Sequence, residues 1–317
     1  MRERSLERPH AGIDPKIAVI DNSGVYSNAI AIKMTRSTNT SAATAGTTRL
    51  GELTVNRLGF GAMRLCGPQA WGRPRDRGYA HRVLRRAVDL GVSFIDTADS
   101  YGPEVNETLI AEALHPYPGN LVIATKGGLV RPDRWSWVAN GHPEHLRRAL
   151  EASLKRLRLD RVDLYQLHTP DPKVPFAESV GALAELQRTG KIRHIGISNV
   201  TIAQLEQARR IVPIVSVQNE FSLRNRSCED VLAECSRLGI AFVPWYPLGG
   251  SRGTRALKVK RVAARHGVAP AQVALAWLLA RSPIVLPIPG TRCIEHLEEN
   301  VRAAGLSLDR EDFDELG

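Results

Sequence analysis

Four side chains define the chemistry open to this sequence: Asp96, Tyr101, Lys126 and His168. A phenol is a weak acid with an ordinary pKa of about 10. A neighbouring ammonium favours the phenolate and lowers that value, and Lys126 can supply the charge. Asp96 can hold Lys126 in place through an ion pair. His168 can hydrogen-bond a carbonyl oxygen or help relay a proton. Together these groups suit protonation of the alkoxide that forms when hydride reaches a carbonyl. No side chain donates hydride, so a cofactor must. Acyl transfer lacks a nucleophile, because there is no Gly-x-Ser-x-Gly and no Cys beside a His. Taken singly, each of the four has a plainer role. The Asp can cap a helix, the Lys can sit on a solvated rim, the Tyr can pack in a turn and the His can be structural. Their placement along the chain is what joins them.

That placement follows from the elements. Short apolar runs at 57–65, 92–98, 120–126, 161–168, 192–198, 214–219, 240–246 and 284–290 read as strands. Amphipathic segments at 77–91, 105–115, 143–158, 176–190, 201–211, 227–239, 254–267, 269–282 and 294–305 read as helices between and after them. In 143–158, for example, Pro143 suits the first turn, and apolar residues recur at Leu146, Ala149, Leu150, Leu154 and Leu157. Eight alternating β-α units predict an α/β protein, a single-domain (β/α)8 TIM barrel. A doubly wound open sheet would need Gly-x-Gly-x-x-Gly after an early strand, and LGFGAMRLCG lacks that spacing. In such barrels chemistry sits at the C-terminal strand ends. Asp96, Asp99 and Tyr101 follow the second strand, Lys126 ends the third and His168 the fourth. Later strand ends contribute Ser198, Asn199, Gln218, Asn219, Trp245, Tyr246 and the loop 289–292.

Composition excludes several other classes. Hydrophobic residues make up 43% of the 317 and charged ones 24%, so the chain can form a globular core. The formal charge is +10, but basic residues share their helices with acids, as in HLRRALEASLKRLRLDRVD, which argues against a nucleic-acid surface. A positive field that draws in a phosphorylated cofactor fits better. No apolar stretch is long enough to span a bilayer, and the charged opening MRERSLERPH does not read as a secretory signal. Four scattered cysteines (66, 228, 235, 293) form no metal-binding spacing, so no metal is expected. They read as free thiols of a cytoplasmic protein. Residues 1–48, ending in the small polar run TRSTNTSAATAGTT, read as a mobile extension ahead of a barrel at 49–317. Met34 offers an alternative start inside it.

The ordered set GFGAMRL, FIDTADSYG, TK (125–126), DLYQLH, IGISN, VQNEFSL, PWYPLGG, IPGT and HLEEN resembles the aldo-keto reductase family over about residues 49–317. The resemblance implies a barrel that reduces aldehydes or ketones with NADPH, with NAD as an alternative. By position, it implies Tyr101 as general acid, tuned by Lys126 and Asp96, with His168 orienting the carbonyl. It implies that Ser198, Asn199 and Gln218 hold the nicotinamide carboxamide and that Trp245 stacks on the ring. Pro247, Leu248, Gly249 and Gly250 would follow the pyrophosphate. Gly290, Thr291 and Arg292 would meet the ribose and 2′-phosphate, and Glu299 and Asn300 the adenine. A guanidinium at Arg292 favours NADP, and His296 can add a donor. Trp71, Trp135 and Trp137 sit in loops expected to overhang the mouth, and aromatic walls suit a flat carbonyl substrate. GPQAWGRPRDRG and VALAWLLARSP resemble a bacterial subgroup that includes pyridoxal reductases, which implies pyridoxal as substrate and leans to a monomer. Two alternatives stay open at this point: a cofactor-sensing regulatory subunit, and a barrel aldolase using Lys126 as a Schiff base.

Overall fold

The computed structural model describes residues 40–317; the expectation for 1–39, including a start at Met34, lies outside the described residues. The core is a parallel sheet of β1 (Phe60–Gly61), β2 (Phe94–Asp96), β3 (Val122–Gly127), β4 (Val162–Leu167), β5 (Ile192–Ser198), β6 (Ile214–Gln218) and β7 (Ala241–Phe242), each beside the next. The segment 284–289 takes the eighth position. Phe242 N and Leu286 N exchange bonds across it with Ile284 O and Phe242 O (3.0 and 2.9 Å), while Gly59 N donates to Pro287 O at 2.9 Å. The sheet therefore closes into the (β/α)8 barrel that the alternation predicts.

Helices follow the strands: α1 (Arg77–Asp89), α2 (Val105–Leu114), α3 (Pro143–Leu157), α4 (Phe176–Arg188), α5 (Ile202–Arg209), α6 (Glu229–Leu238), the single turn α7 (Gly250–Thr254), α8 (Leu257–His266), α9 (Pro270–Arg281), α10 (Ile294–Arg302) and α11 (Arg310–Leu316). Sequence periodicity locates all of these except α7 and α11. The short C-terminal α11 docks on α8 through Asp312, which accepts from Arg265 and His266 at 2.6 Å each. Among the described residues no helix is long and apolar enough to cross a membrane.

Side chains alternate between the two faces of a strand. The outward rows, including Ile95, Ile123, Tyr165, Leu167, Ile195, Ile197 and Val217, are fully buried against helices. Each aliphatic side chain among them contributes about 1.5–3 kcal/mol. The inward rows change character along the barrel. Phe94, Val122, Ala124, Leu164, Leu286 and Ile288 form an apolar lower layer. One pleat further on, the same rows present Asp96, Lys126 and Gln166, all buried.

The boundary at 48 needs adjustment. Residues 40–48 belong to the described fold. Ala42 is buried, and its N–H donates to Leu90 O at 2.9 Å while Ser41 Oγ donates to the same carbonyl at 3.2 Å. A hairpin of Thr47–Leu50 and Leu53–Asn56 then packs Leu50 and Val55 against the lower apolar layer, at the end of the barrel opposite the polar residues. Small polar composition hides this because neighbours supply the ordering contacts.

Candidate active site

The polar upper layer converges on Lys126. Its side chain has no exposed surface. Its Nζ donates to Asp96 at 2.7 Å and to Thr97 O at 2.9 Å, and it lies 3.4 Å from Tyr101 Oη. Asp96 is buried in turn, accepting from Gln218 Nε2 at 2.8 Å and from Gln166 Nε2 at 3.4 Å. A buried charge is costly unless paired and hydrogen-bonded, and this network supplies both. The His168 ring stands edge-on to Tyr101 with centroids 5.7 Å apart. Ser100 Oγ lies 3.4 Å from its Nδ1. The four residues read from sequence therefore meet in one place.

Their electrostatics differ in one respect from expectation. Lys126 was the reason to expect a lowered Tyr101 pKa. In the structure, burial pushes the phenol above its ordinary value, and Lys126 only partly opposes that. Burial also acts to depress the Lys126 ammonium, but Asp96 and Tyr101 outweigh it and hold it above the ordinary lysine value. Burial, followed by the Lys126 charge, holds His168 well below the ordinary imidazole value, so the ring is neutral near pH 7. A saturated, enclosed and protonated Lys126 is poorly suited to attack a carbonyl as an amine, which argues against the Schiff-base alternative.

Above this cluster lies a groove of about 920 Å³. Asp96, Tyr101, His168, Ser198, Asn199, Gln218, Trp245, Pro247, Leu248 and Gly250 line it toward the barrel centre. Gly290, Thr291, Arg292, His296, Glu299 and Asn300 line the arm that runs over α10. Gly249 is buried and off the lining. Several groups are already engaged. Ser198 Oγ donates to Gln218 O at 2.7 Å. Asn199, in the left-handed region at φ 59°, donates to His168 O at 3.0 Å and accepts from Trp245 Nε1 at 2.9 Å. Its carboxamide therefore ties β4 to the strand end after β7.

Of the three tryptophans expected at the mouth, only Trp137 lines the groove, edge-on to Tyr101 at 6.4 Å. Trp135 is 70% exposed at its loop tip, and Trp71 packs aside against Arg131. Both are corrections, because loop residues need not turn toward the mouth they overhang. Sequence reasoning missed Met63, Arg64, Leu129 and Cys293 on the lining, and Gln166 beside Asp96. Met63 and Arg64 follow β1 as Tyr101 follows β2, so the strand-end rule applied to the first strand finds them. Gln166 precedes His168 by one pleat.

Comparison with known proteins agrees with this architecture. The sequence profile of the Aldo/keto reductase family matches residues 57–317. An uncharacterised oxidoreductase of Schizosaccharomyces pombe is 47% identical over 90% of this chain and 93% of its own length. Pyridoxine 4-dehydrogenase of Escherichia coli is 45% identical over 84% of this chain and 96% of its own. An aldo/keto reductase from Klebsiella pneumoniae, crystallised with NADP and acetate, superimposes with a TM-score of 0.73 at 28% identity, covering 85% of this chain and 93% of that one. A barrel with this polar layer, matched along nearly all of its described length, belongs to the aldo/keto reductase family.

Proposed function

We propose that the protein reduces aldehydes or ketones to alcohols using NADPH, with Tyr101 as proton donor, and that pyridoxal is among its substrates. The observation that carries this reading is the contact of Lys126 Nζ with Tyr101 Oη at the floor of the groove, with His168 alongside. The groove suits a dinucleotide. Arg292, Thr291 and His296 offer cationic and hydrogen-bonding groups at one end, and Ser198 and Gln218 offer polar ones at the other. Gly61 and Gly290 keep the backbone close where a Cβ would strike Ile288 O or Gly61 O, at 2.7 and 2.6 Å. When bound, NADPH supplies the hydride. Arg292 makes no ion pair among the described residues, which favours the 2′-phosphate of NADP over NAD.

The chain's own residues supply the rest. Neutral His168 can hydrogen-bond the carbonyl oxygen, and it does so without a competing charge. Tyr101 Oη gives up its proton as the alkoxide forms, and Lys126 beside it stabilises the phenolate left behind. Asp96 keeps Lys126 in place. Trp137 gives a flat face next to Tyr101, which suits an aromatic aldehyde. The 45% identity to a pyridoxine 4-dehydrogenase supports pyridoxal in particular.

The test is oxidation of NADPH and NADH with pyridoxal, a nitrobenzaldehyde and methylglyoxal, by wild type and Tyr101→Phe. Wild type is expected to turn over with NADPH in preference to NADH, and Tyr101→Phe to lose about 10²–10⁴ in kcat. Retention of kcat within one order of magnitude in Tyr101→Phe would remove the tyrosine from the mechanism.

A further inference from the structure

We propose that Arg131 is a positioning residue that fixes the substrate wall, by pinning three βα loops together behind Trp137. The proposal rests on the reading above that a flat carbonyl packs against Trp137 beside Tyr101. Arg131 is 7% exposed, yet no carboxylate pairs with it among the described residues. Its guanidinium donates to four backbone carbonyls instead: Ser136 O at 2.9 Å, Arg134 O at 2.6 Å, Gln69 O at 3.2 Å and Ala70 O at 3.3 Å. It also stacks 3.7 Å from the Trp137 ring centroid and 5.3 Å from that of Trp71. A buried cation must be compensated, and here loop carbonyls, indole faces and the nearby Asp133 charge supply the compensation.

One of the loops it joins carries backbone strain. Gln69 and Ala70 are consecutive non-glycine residues at φ 57° and 51°, a region disfavoured for any residue with a Cβ. Ala70 O is shared, because it also accepts from Gly102 N at 2.9 Å, and Gly102 directly follows Tyr101. The loops after β1, β2 and β3 thus meet at one carbonyl and one guanidinium. On the groove side of that junction stands Trp137, edge-on to Tyr101. Lysine cannot replace this arrangement, since a point charge on a flexible stem does not form a planar fork.

Loss of the pin should free Trp137 and weaken binding of flat substrates more than small ones. The experiment compares wild type, Arg131→Met, Arg131→Lys and Trp137→Phe with a nitrobenzaldehyde and methylglyoxal, alongside amide hydrogen exchange. For both Arg131 variants the selectivity for the aromatic aldehyde is expected to fall about tenfold, mainly through KM. Trp137→Phe, which alters the wall but not the pin, should change selectivity without faster exchange at 69–72. Amides of 69–72 and 134–138 should exchange faster in both Arg131 variants, while those of the barrel strands stay unchanged. Equal losses on both aldehydes, or unchanged exchange in both loops, would overturn the proposal. If wild type reduces neither aldehyde, the functional reading fails, and the exchange result still decides whether Arg131 pins the loops. Should Arg131→Met not fold, Arg131→Lys carries the same comparison.

Discussion

At the floor of the groove the decisive quantity is how much water each side chain has lost. Residue types alone place a phenol, an ammonium, a carboxylate and an imidazole at successive strand ends, and that much was legible in the sequence. The direction of the Tyr101 shift was not, because it depends on burial, which no single residue carries. With its pKa above the ordinary value, Tyr101 stays protonated through the neutral range, the state a proton donor needs. Asp99 records the same effect as a matter of stability. It is half-buried, its Oδ1 has no hydrogen-bond partner, and burial together with the Glu107 charge pushes its pKa up to about 8. The folded state therefore holds this proton more tightly than the unfolded chain, whose value is near 3.8. The resulting stability is fully present below that lower value and is lost as pH rises toward 8. Asp99→Asn should accordingly raise the melting temperature relative to wild type most at about pH 9, less at about pH 5 and little below about pH 4. Parallel Tm-against-pH curves for the two proteins would show that Asp99 is ionised in the fold.

Elements were legible where one residue's pattern repeats. The amphipathic helices α1 to α6 and α8 to α10 fall within a few residues of their sequence expectation, because a core-facing stripe recurs every turn. The hairpin at 47–56 was not legible. Two four-residue strands carry too few alternations to register, and their order comes from contacts with the barrel floor and with Gly91 and Ser93. Arg57, just after that hairpin, does similar work at longer range. Its guanidinium donates to Ser282 O at 2.6 Å, to Val285 O at 3.3 Å and to Leu279 O, so it caps the C-terminal end of α9 and holds the chain that leads into the eighth segment. A cation at a helix C-terminus is favourable, and these carbonyls would lose their partner together. Arg57→Leu is expected to lower stability by about 1.5–3 kcal/mol, read as a shift of the urea midpoint. A change below about 0.5 kcal/mol would mean that water replaces the guanidinium without penalty.

On the scale of the whole molecule, strict alternation was enough to predict the barrel, and the inward pleat was enough to put its polar layer at one end. Which loop side chains turn inward was not, as Trp71 and Trp135 illustrate, since a loop's direction is set by contacts with other loops. One consequence of how the barrel closes concerns heat. The first strand is only two residues long, and it meets a partner whose facing positions, Pro287 and Pro289, cannot donate. The bonds run one way, from Gly59 and Gly61, and the second is long at 3.4 Å. This is the barrel's seam, and Gly61, Ile288, Pro289 and Gly290 on either side of it are also walls of the groove. A ligand lying there bridges the two lips, so its binding energy is spent on keeping the barrel shut. NADPH at about a hundredfold excess over its dissociation constant should then stabilise the fold by about 2.7 kcal/mol. Without it, on slow heating, catalytic competence should fade before helical ellipticity does. Coincident loss of activity and ellipticity in the unliganded protein would mean that the seam opens only when everything else does.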